Sequence, residues 1–233
     1  MKARRLILWA AALAAVPLAI APPAVVAQAP RDWTRTVTRT PAGAFVMGNP
    51  QARVKLVEYL SLTCSHCAHF AETGLPALKR DYIAKGMVSL EVRHAVRDGY
   101  DLSASLLARC DGGPRYFPTA DAIFARQGDW LKRASEAAPP SGRPTPETIG
   151  NFTTAFASAA GLDALMRARG MPAARVQACL TNKAEIDRLS AMTDDAWKVR
   201  KLQGTPAFLI NGKTAEGAFD WTALEPQLKA ALR

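Results

Sequence analysis

Cys64 and Cys67 stand two residues apart in the run Ser61-Leu62-Thr63-Cys64-Ser65-His66-Cys67. Two thiols at this spacing can exchange disulfides, form half of a soft-metal clasp, or make a structural staple. Their position separates these chemistries. Val54 to Leu60 (VKLVEYL) reads as a strand, and the pattern turns helical from about Cys64, so Cys64 falls where a strand ends and a helix begins. The unpaired N–H groups of a first helical turn and the helix dipole both stabilise a thiolate. A protonated His66 adds a positive charge within reach. Both effects lower the pKa of the first thiol, and the thiolate is the form that attacks or leaves in disulfide exchange. Cys67, one turn further in, is expected to be more buried and to act as the resolving thiol.

Glu58 lies six residues before Cys64, inside the same apolar strand. Alternation puts it on one face with Val54, Leu56 and Leu60. A carboxylate on an apolar face is costly without a partner or a task. The functional reading is a buried proton acceptor beneath the cysteine pair; the plain alternative is a strand-edge glutamate facing water. Far downstream, Gly204-Thr205-Pro206 sits between a helix stop and the apolar run Ala207 to Ile210. An ordinary X–Pro bond there would be trans. Cys110 and Cys179 have no close cysteine neighbour. Four cysteines allow three pairings, and if Cys64 and Cys67 pair locally the other two are left to each other. A bridge across about seventy residues would stabilise by about 4 kcal/mol in the chain-entropy model. His69 could join the thiols on a metal but reads more simply as a partly exposed helix residue, and His94 as a structural one. Ala68 after Cys67 excludes the usual c-type haem signature. Asn151-Phe152-Thr153 fits a glycosylation acceptor, a pattern common by chance.

The elements that must position these groups follow from periodicity and punctuation. Ala44 to Met47 reads as a first strand, closed by Gly48-Asn49-Pro50, and Val88 to Val96 as another strong strand. Gly74 and Pro76 predict a kink or break in the helix after Cys64. From Asp98 to Leu202 strand signal is almost absent. Helices are expected over Leu102–Arg109, Thr119–Arg126, Thr148–Ala159, Leu162–Arg169, Pro172–Leu180 and Ala184–Leu202, with a proline-rich loop at 137–147. Asn211-Gly212 predicts a tight hairpin between Ala207–Ile210 and Lys213–Ala218. A closing helix over Trp221–Leu232 should be interrupted at Pro226. The order is β-α-β, a run of helices, then β-β-α: an α/β chain with a helical block inserted between the halves of one small sheet.

The chain has 233 residues, 49% of them hydrophobic and 21% charged, with a net charge of +10. That supports one large domain with a real core. Residues 1–27 read as a signal peptide: Lys2, Arg4 and Arg5 precede the uncharged run Leu6 to Ala21, and small residues lead to Ala27. Cleavage would leave 30 − 3 basic side chains against 20 acidic ones, a charge of +7. An exported protein in an oxidising compartment, periplasmic or otherwise outside the cytosol, is expected to pair its thiols. No arginine-rich run interleaved with aromatics marks a nucleic-acid surface.

CSHC at the end of VKLVEYLSLT, the distant GTPAFLING and the helical block between them resemble the DsbA-like branch of the thioredoxin superfamily. The resemblance covers roughly residues 44–233. It implies a thioredoxin fold, a small mixed sheet flanked by helices, with an inserted all-helical domain. The divisions would be a signal peptide (1–27), a lead-in (28–43), a thioredoxin-like domain (44–97 and 203–233) and the insert (98–202). It implies an exported thiol–disulfide oxidoreductase whose redox pair is Cys64 and Cys67, with Ser65 and His66 between them. Glu58 would be its buried acid, and Thr205-Pro206 a cis-proline loop that binds extended substrate. Ser65 stands where the family's C-P-H-C motif has proline, and a threonine before the cis-proline is similar to the isomerase branch. Apart from the resemblance, oxidising surroundings favour a structural disulfide between Cys110 and Cys179 over two free buried thiols. Reduced unfolded secreted proteins would be the clients and a membrane protein similar to DsbB the reoxidant. No cofactor or metal is implied, and the short stretch before Ala44 suits a monomer. Two alternatives remain: a disulfide isomerase or reductase, and a periplasmic soft-metal carrier using Cys64, Cys67 and a histidine.

Overall fold

The computed structural model describes residues 31–138 and 141–233. The expected signal peptide, its cleavage site and residues 28–30 of the lead-in lie outside them. Six strands form one sheet in the order β1-β2-β4-β3-β5-β6. They are β1 (Val37–Arg39), β2 (Phe45–Gly48), β3 (Val54–Leu60), β4 (Val88–His94), β5 (Ala207–Ile210) and β6 (Lys213–Thr214). β3 is central: it runs parallel to β4 and antiparallel to β5, with Glu58 opposite Val92 on one side and Phe208 on the other. A parallel strand flanked on both sides is buried on both faces, which is why VKLVEYL reads as near-continuous apolar sequence; only Lys55 is exposed.

The two faces of β3 enter different cores. Val54, Leu56 and Leu60 join a large cluster that includes Phe70, Leu78, Tyr116, Trp130 and Leu228. Val57 and Tyr59 join a small one with Ala95, Ala196 and Leu209. The first face is covered by α1 (Ser65–Thr73), α2 (Leu75–Leu78) and α10 (Trp221–Ala231) together with the inserted helices α3 (Gly99–Arg109) and α4 (Gly113–Ala125). α5 (Gln127–Glu136), α6 (Ile149–Ala159), α7 (Leu162–Ala168), α8 (Ala173–Leu180) and α9 (Lys183–Asp194) complete the helical run. Residues 31–233 make one compact unit. The helical block shares its core with the sheet.

Several elements depart from the periodicity reading. α4 begins at Gly113 rather than Thr119 and carries Pro118 inside it. The missing N–H of Pro118 forfeits one bond to the carbonyl a turn back, while Tyr116, Phe117 and Ala120 are buried around it. Pro226 likewise lies within an unbroken α10, held by buried Leu224 and Leu228. α5 is a helix that the sequence reading leaves out. Helix α9 stops at Asp194 and widens into a π-turn over Asp195–Val199. There Asp195 accepts from the Tyr59 hydroxyl, from Arg93 at 3.2 Å and from Arg200 at 3.1 Å. The helix after Cys64 divides at Gly74, where a Cβ would lie 2.7 Å from the Phe70 ring. Asn211 (φ 49°) and Gly212 (φ 82°) both take the left-handed conformation that a tight hairpin needs.

Candidate active site

β3 ends at Leu60, and a three-residue loop carries the chain to Cys64, the N-cap of α1. Cys64 is 5% exposed and Cys67 fully buried, both as free thiols. Their surroundings push them apart. Cys64 is pulled from 9.0 down to about 5, first by the hydrogen bond from the Cys67 thiol. Burial opposes this, and Thr205 and the backbone N–H groups of Cys67 and His66 add to it. Cys67 is pushed well above 9.0, mainly by burial and then by its bond to Cys64. The sequence reading gave the anion to the helix head and to the His66 imidazole. The structure gives the larger part to the Cys67 thiol, and what residue 66 supplies is its peptide N–H. The His66 and Ser65 side chains face solvent.

The Thr205–Pro206 peptide bond is cis. It brings the Thr205 carbonyl oxygen to 3.1 Å from Cys64 Sγ, an acceptor for the thiol form. Cys64, His66, Arg97, Trp197 and Thr205 line an open depression of about 550 Å³. Pro206 is buried while Thr205 is part-exposed, so this loop presents backbone beside the reactive sulfur.

Glu58 is 3% exposed and belongs to the face that meets α1 and α4. Burial lifts its carboxyl from 4.5 to about 8; Asp121 and Cys64 raise it further and Lys79 opposes them. Its charge in turn helps to raise Cys67. The strand-edge alternative is thereby overturned: strands cover both sides of β3.

Two further residues hold the loop and have no sequence motif. Asp101, buried in α3, accepts from the Leu62 N–H at 2.8 Å and the Arg97 N–H at 3.0 Å. It thus ties the cysteine loop to the exit of β4. Burial pushes its carboxyl up to about 6, against the hydrogen bonds of Ser61, Leu62 and Arg97. Gln127, at the start of α5, donates to the carbonyls of Leu62 (2.8 Å) and Cys64 (3.0 Å). An acid inside an apolar helix was a readable signal for Asp101. Gln127 could be found only by recognising α5 from Trp130, Leu131 and Ala134.

The other sequence-derived candidates lie apart from this centre. Cys110 and Cys179 form a disulfide that joins the C-cap of α3 to α8. His94 is buried between Ser105 (2.8 Å) and the Tyr116 hydroxyl (3.0 Å), and burial keeps it neutral by lowering its pKa well below 6.5. His69 and Asn151 are exposed. Among the described residues no group of three or more His, Cys, Asp or Glu side chains could hold a metal ion, so the carrier alternative lacks a third ligand there.

A family model described as Thioredoxin matches residues 40–230. Curated relatives include the provisionally named protein-disulfide oxidoreductases of Rickettsia typhi and Rickettsia felis. The first is 30% identical over 172 residues, covering 74% of this chain and 56% of that protein. The second is 31% identical over 168 residues, covering 72% and 53%. The chain thus spans about half the length of the curated relatives it matches. Among solved structures, the protein-disulfide isomerase from Novosphingobium aromaticivorans is 33% identical with a TM-score of 0.74, covering 81% of this chain and 96% of that one. Alpha-DsbA1 of Wolbachia pipientis shares the fold at 22% identity, with a TM-score of 0.60 and coverage of 80% and 89%.

Proposed function

The chain belongs to the thioredoxin family, and we propose that it is a DsbA-like, exported thiol–disulfide oxidoreductase that introduces disulfides into secreted proteins. The observation that carries this is the divergence of the two thiols: Cys64 pulled down to about 5, Cys67 pushed well above 9.0, with the cis-proline loop against Cys64.

The cycle follows from that divergence. A client thiolate attacks Cys64 of the oxidised pair. A client–Cys64 disulfide forms, the Cys64–Cys67 bond breaks, and Cys67 leaves with the electron pair. A thiolate of so high a pKa takes a proton, and Glu58, protonated below about pH 8, lies beneath it to supply one. A second client thiolate then attacks the client sulfur. The client disulfide forms, and Cys64 departs as a stabilised thiolate, a good leaving group. The client is oxidised and the Cys64/Cys67 pair reduced by two electrons. Thr205 offers backbone for an extended client chain to pair with, as in strand addition.

Thiolate stabilisation also sets the direction. A Cys64 pKa about two units below pH 7 favours the dithiol form about a hundredfold, equivalent to about 60 mV toward the oxidising end. Reoxidation by a membrane partner similar to DsbB, export through residues 1–27 and action as a monomer complete the reading.

Equilibrating Cys64/Cys67 against glutathione buffers tests it, alongside oxidative refolding of a reduced client. An oxidase has a potential near about −120 mV, speeds refolding, and loses that activity in Cys64→Ala. A value near about −270 mV would mark a reductase. Thr205 before the cis-proline and the likeness to the Novosphingobium protein-disulfide isomerase favour a second reading, disulfide isomerisation. A dimer on a sizing column, with rescue of scrambled disulfides exceeding oxidation of reduced ones, would select it.

A further inference from the structure

Glu58 is nearly sealed from solvent, yet the proposed cycle asks it to give up a proton and regain one at each turnover. A route to water is required. A narrow cavity of about 20 Å³ opens beside it between β3, α1 and α4. One water needs about 10–15 Å³ and at least two polar partners. The walls are almost wholly apolar, among them Leu60, Phe70, Val92 and Phe124; besides Glu58 the exceptions are Tyr116 and Asp121. Tyr116 turns its hydroxyl away, to His94 Nε2 at 3.0 Å. Asp121 does not turn inward: its side chain is 42% exposed and pairs with Lys79 Nζ at 3.2 Å, itself 26% exposed. One acidic residue therefore lines the cavity and also reaches bulk solvent.

We propose that Asp121, on the inserted helix α4, relays protons between bulk water and Glu58 through this cavity, with Lys79 holding its carboxylate at the cavity mouth. The inference rests on the oxidoreductase reading above and adds to it a proton exit in the helical block. The steps balance without electron transfer. Cys67 thiolate takes the proton of the Glu58 carboxyl and leaves a glutamate anion. That anion regains a proton through the cavity from Asp121, which is replenished by buffer acid. When Cys67 must be deprotonated for reoxidation, the proton runs the other way.

The groups facing Glu58 divide by element. α1 and its cap present Cys67 and Cys64, α4 presents Tyr116 and Asp121, and the segment after α2 presents Lys79. Its neighbours on β4 and β5 are Val92 and Phe208. Within this set Asp121 and Lys79 act on Glu58 in opposite senses.

The test reads the Glu58 carboxyl band by infrared spectroscopy and, separately, the rate of the Cys67-dependent step at low buffer concentration. Asp121→Asn should lower the pH midpoint of Glu58, and Lys79→Met should raise it. Asp121→Ala should slow the Cys67-dependent step about tenfold, a modest share of what proton transfer contributes, and added formate should restore it. A merely structural aspartate would not be rescued by formate. The relay is overturned if folded Asp121→Asn and Asp121→Ala proteins keep the wild-type Glu58 midpoint and low-buffer rate. Should wild-type protein exchange no thiols at all, the oxidoreductase reading fails. The infrared titration keeps the two failures apart, because unchanged Glu58 midpoints in both variants overturn the relay whether or not thiols are exchanged.

Discussion

Replacing Glu58 with glutamine removes one buried ionisable carboxyl and keeps the side chain's size. In the folded protein burial lifts this carboxyl from 4.5 to about 8. The unfolded chain therefore ionises at Glu58 about 3.5 units earlier than the folded one. Because the folded pKa is the raised one, the stability this group contributes is fully present below pH 4.5 and is lost as pH rises through about 8. At 1.36 kcal/mol per unit the loss approaches about 5 kcal/mol, a large share of a domain stability of about 5–15 kcal/mol. Relaxation around the cavity and the Lys79 charge make this an upper figure. The measurement belongs in the oxidised protein, where Cys64 and Cys67 do not titrate. In the reduced protein Cys64 has the opposite sign: its folded pKa of about 5 lies below 9.0, so its contribution is present above pH 9 and fades as pH falls to about 5. Urea denaturation of oxidised wild type and Glu58→Gln across pH 5 to 9 should give curves that diverge by several kcal/mol toward alkaline pH, the variant being the more stable. Parallel curves would refute the claim that Glu58 is a buried acid held neutral by desolvation.

In the reduced protein the ultraviolet thiolate absorbance of Cys64 should titrate near about pH 5, and a midpoint at the ordinary free-thiol value would remove the basis for disulfide donation. Gln127→Ala leaves the buried Leu62 carbonyl without its donor, while the Cys64 carbonyl keeps the Ala68 N–H at 3.1 Å. Its expected cost is about 1–3 kcal/mol for the one unpaired group, with slower client exchange; an unchanged denaturation midpoint would contradict this. Removing the Cys110–Cys179 bridge in a double alanine variant should cost up to about 4 kcal/mol for its 69-residue separation. The Cys64 titration should not move in that variant, since the bridge lies outside the redox centre.

Much of the scaffold was readable because it rests on local rules. β3 and β5 occupy the residues that apolar runs and flanking turns mark out, and Asn211-Gly212 makes the hairpin its backbone preference demands. The break at Gly74 was legible as well. The failures are equally specific. α10 runs through Pro226 without the expected interruption, and α4 begins at Gly113 rather than the expected Thr119, with Pro118 inside it; burial of both helices outweighs one missing hydrogen bond in each. α5 was overlooked because its apolar face is narrow, with only Gln127, Trp130 and Ala134 buried.

The amino-acid order by itself determined which residues could do redox chemistry: two thiols at a strand-to-helix junction, an acid six positions earlier in an apolar strand, and a proline ahead of a later strand. It could not determine how strongly each thiol is biased. That was decided by burial, by the contact between Cys64 and Cys67 themselves, and by Thr205, 141 positions from Cys64, around a loop that Gln127 and Asp101 hold in place. The reason is that a pKa is set by desolvation and by the donors and charges within a few ångströms. Only the tertiary packing of the helices and of the cis-proline loop around Cys64 brings those groups together.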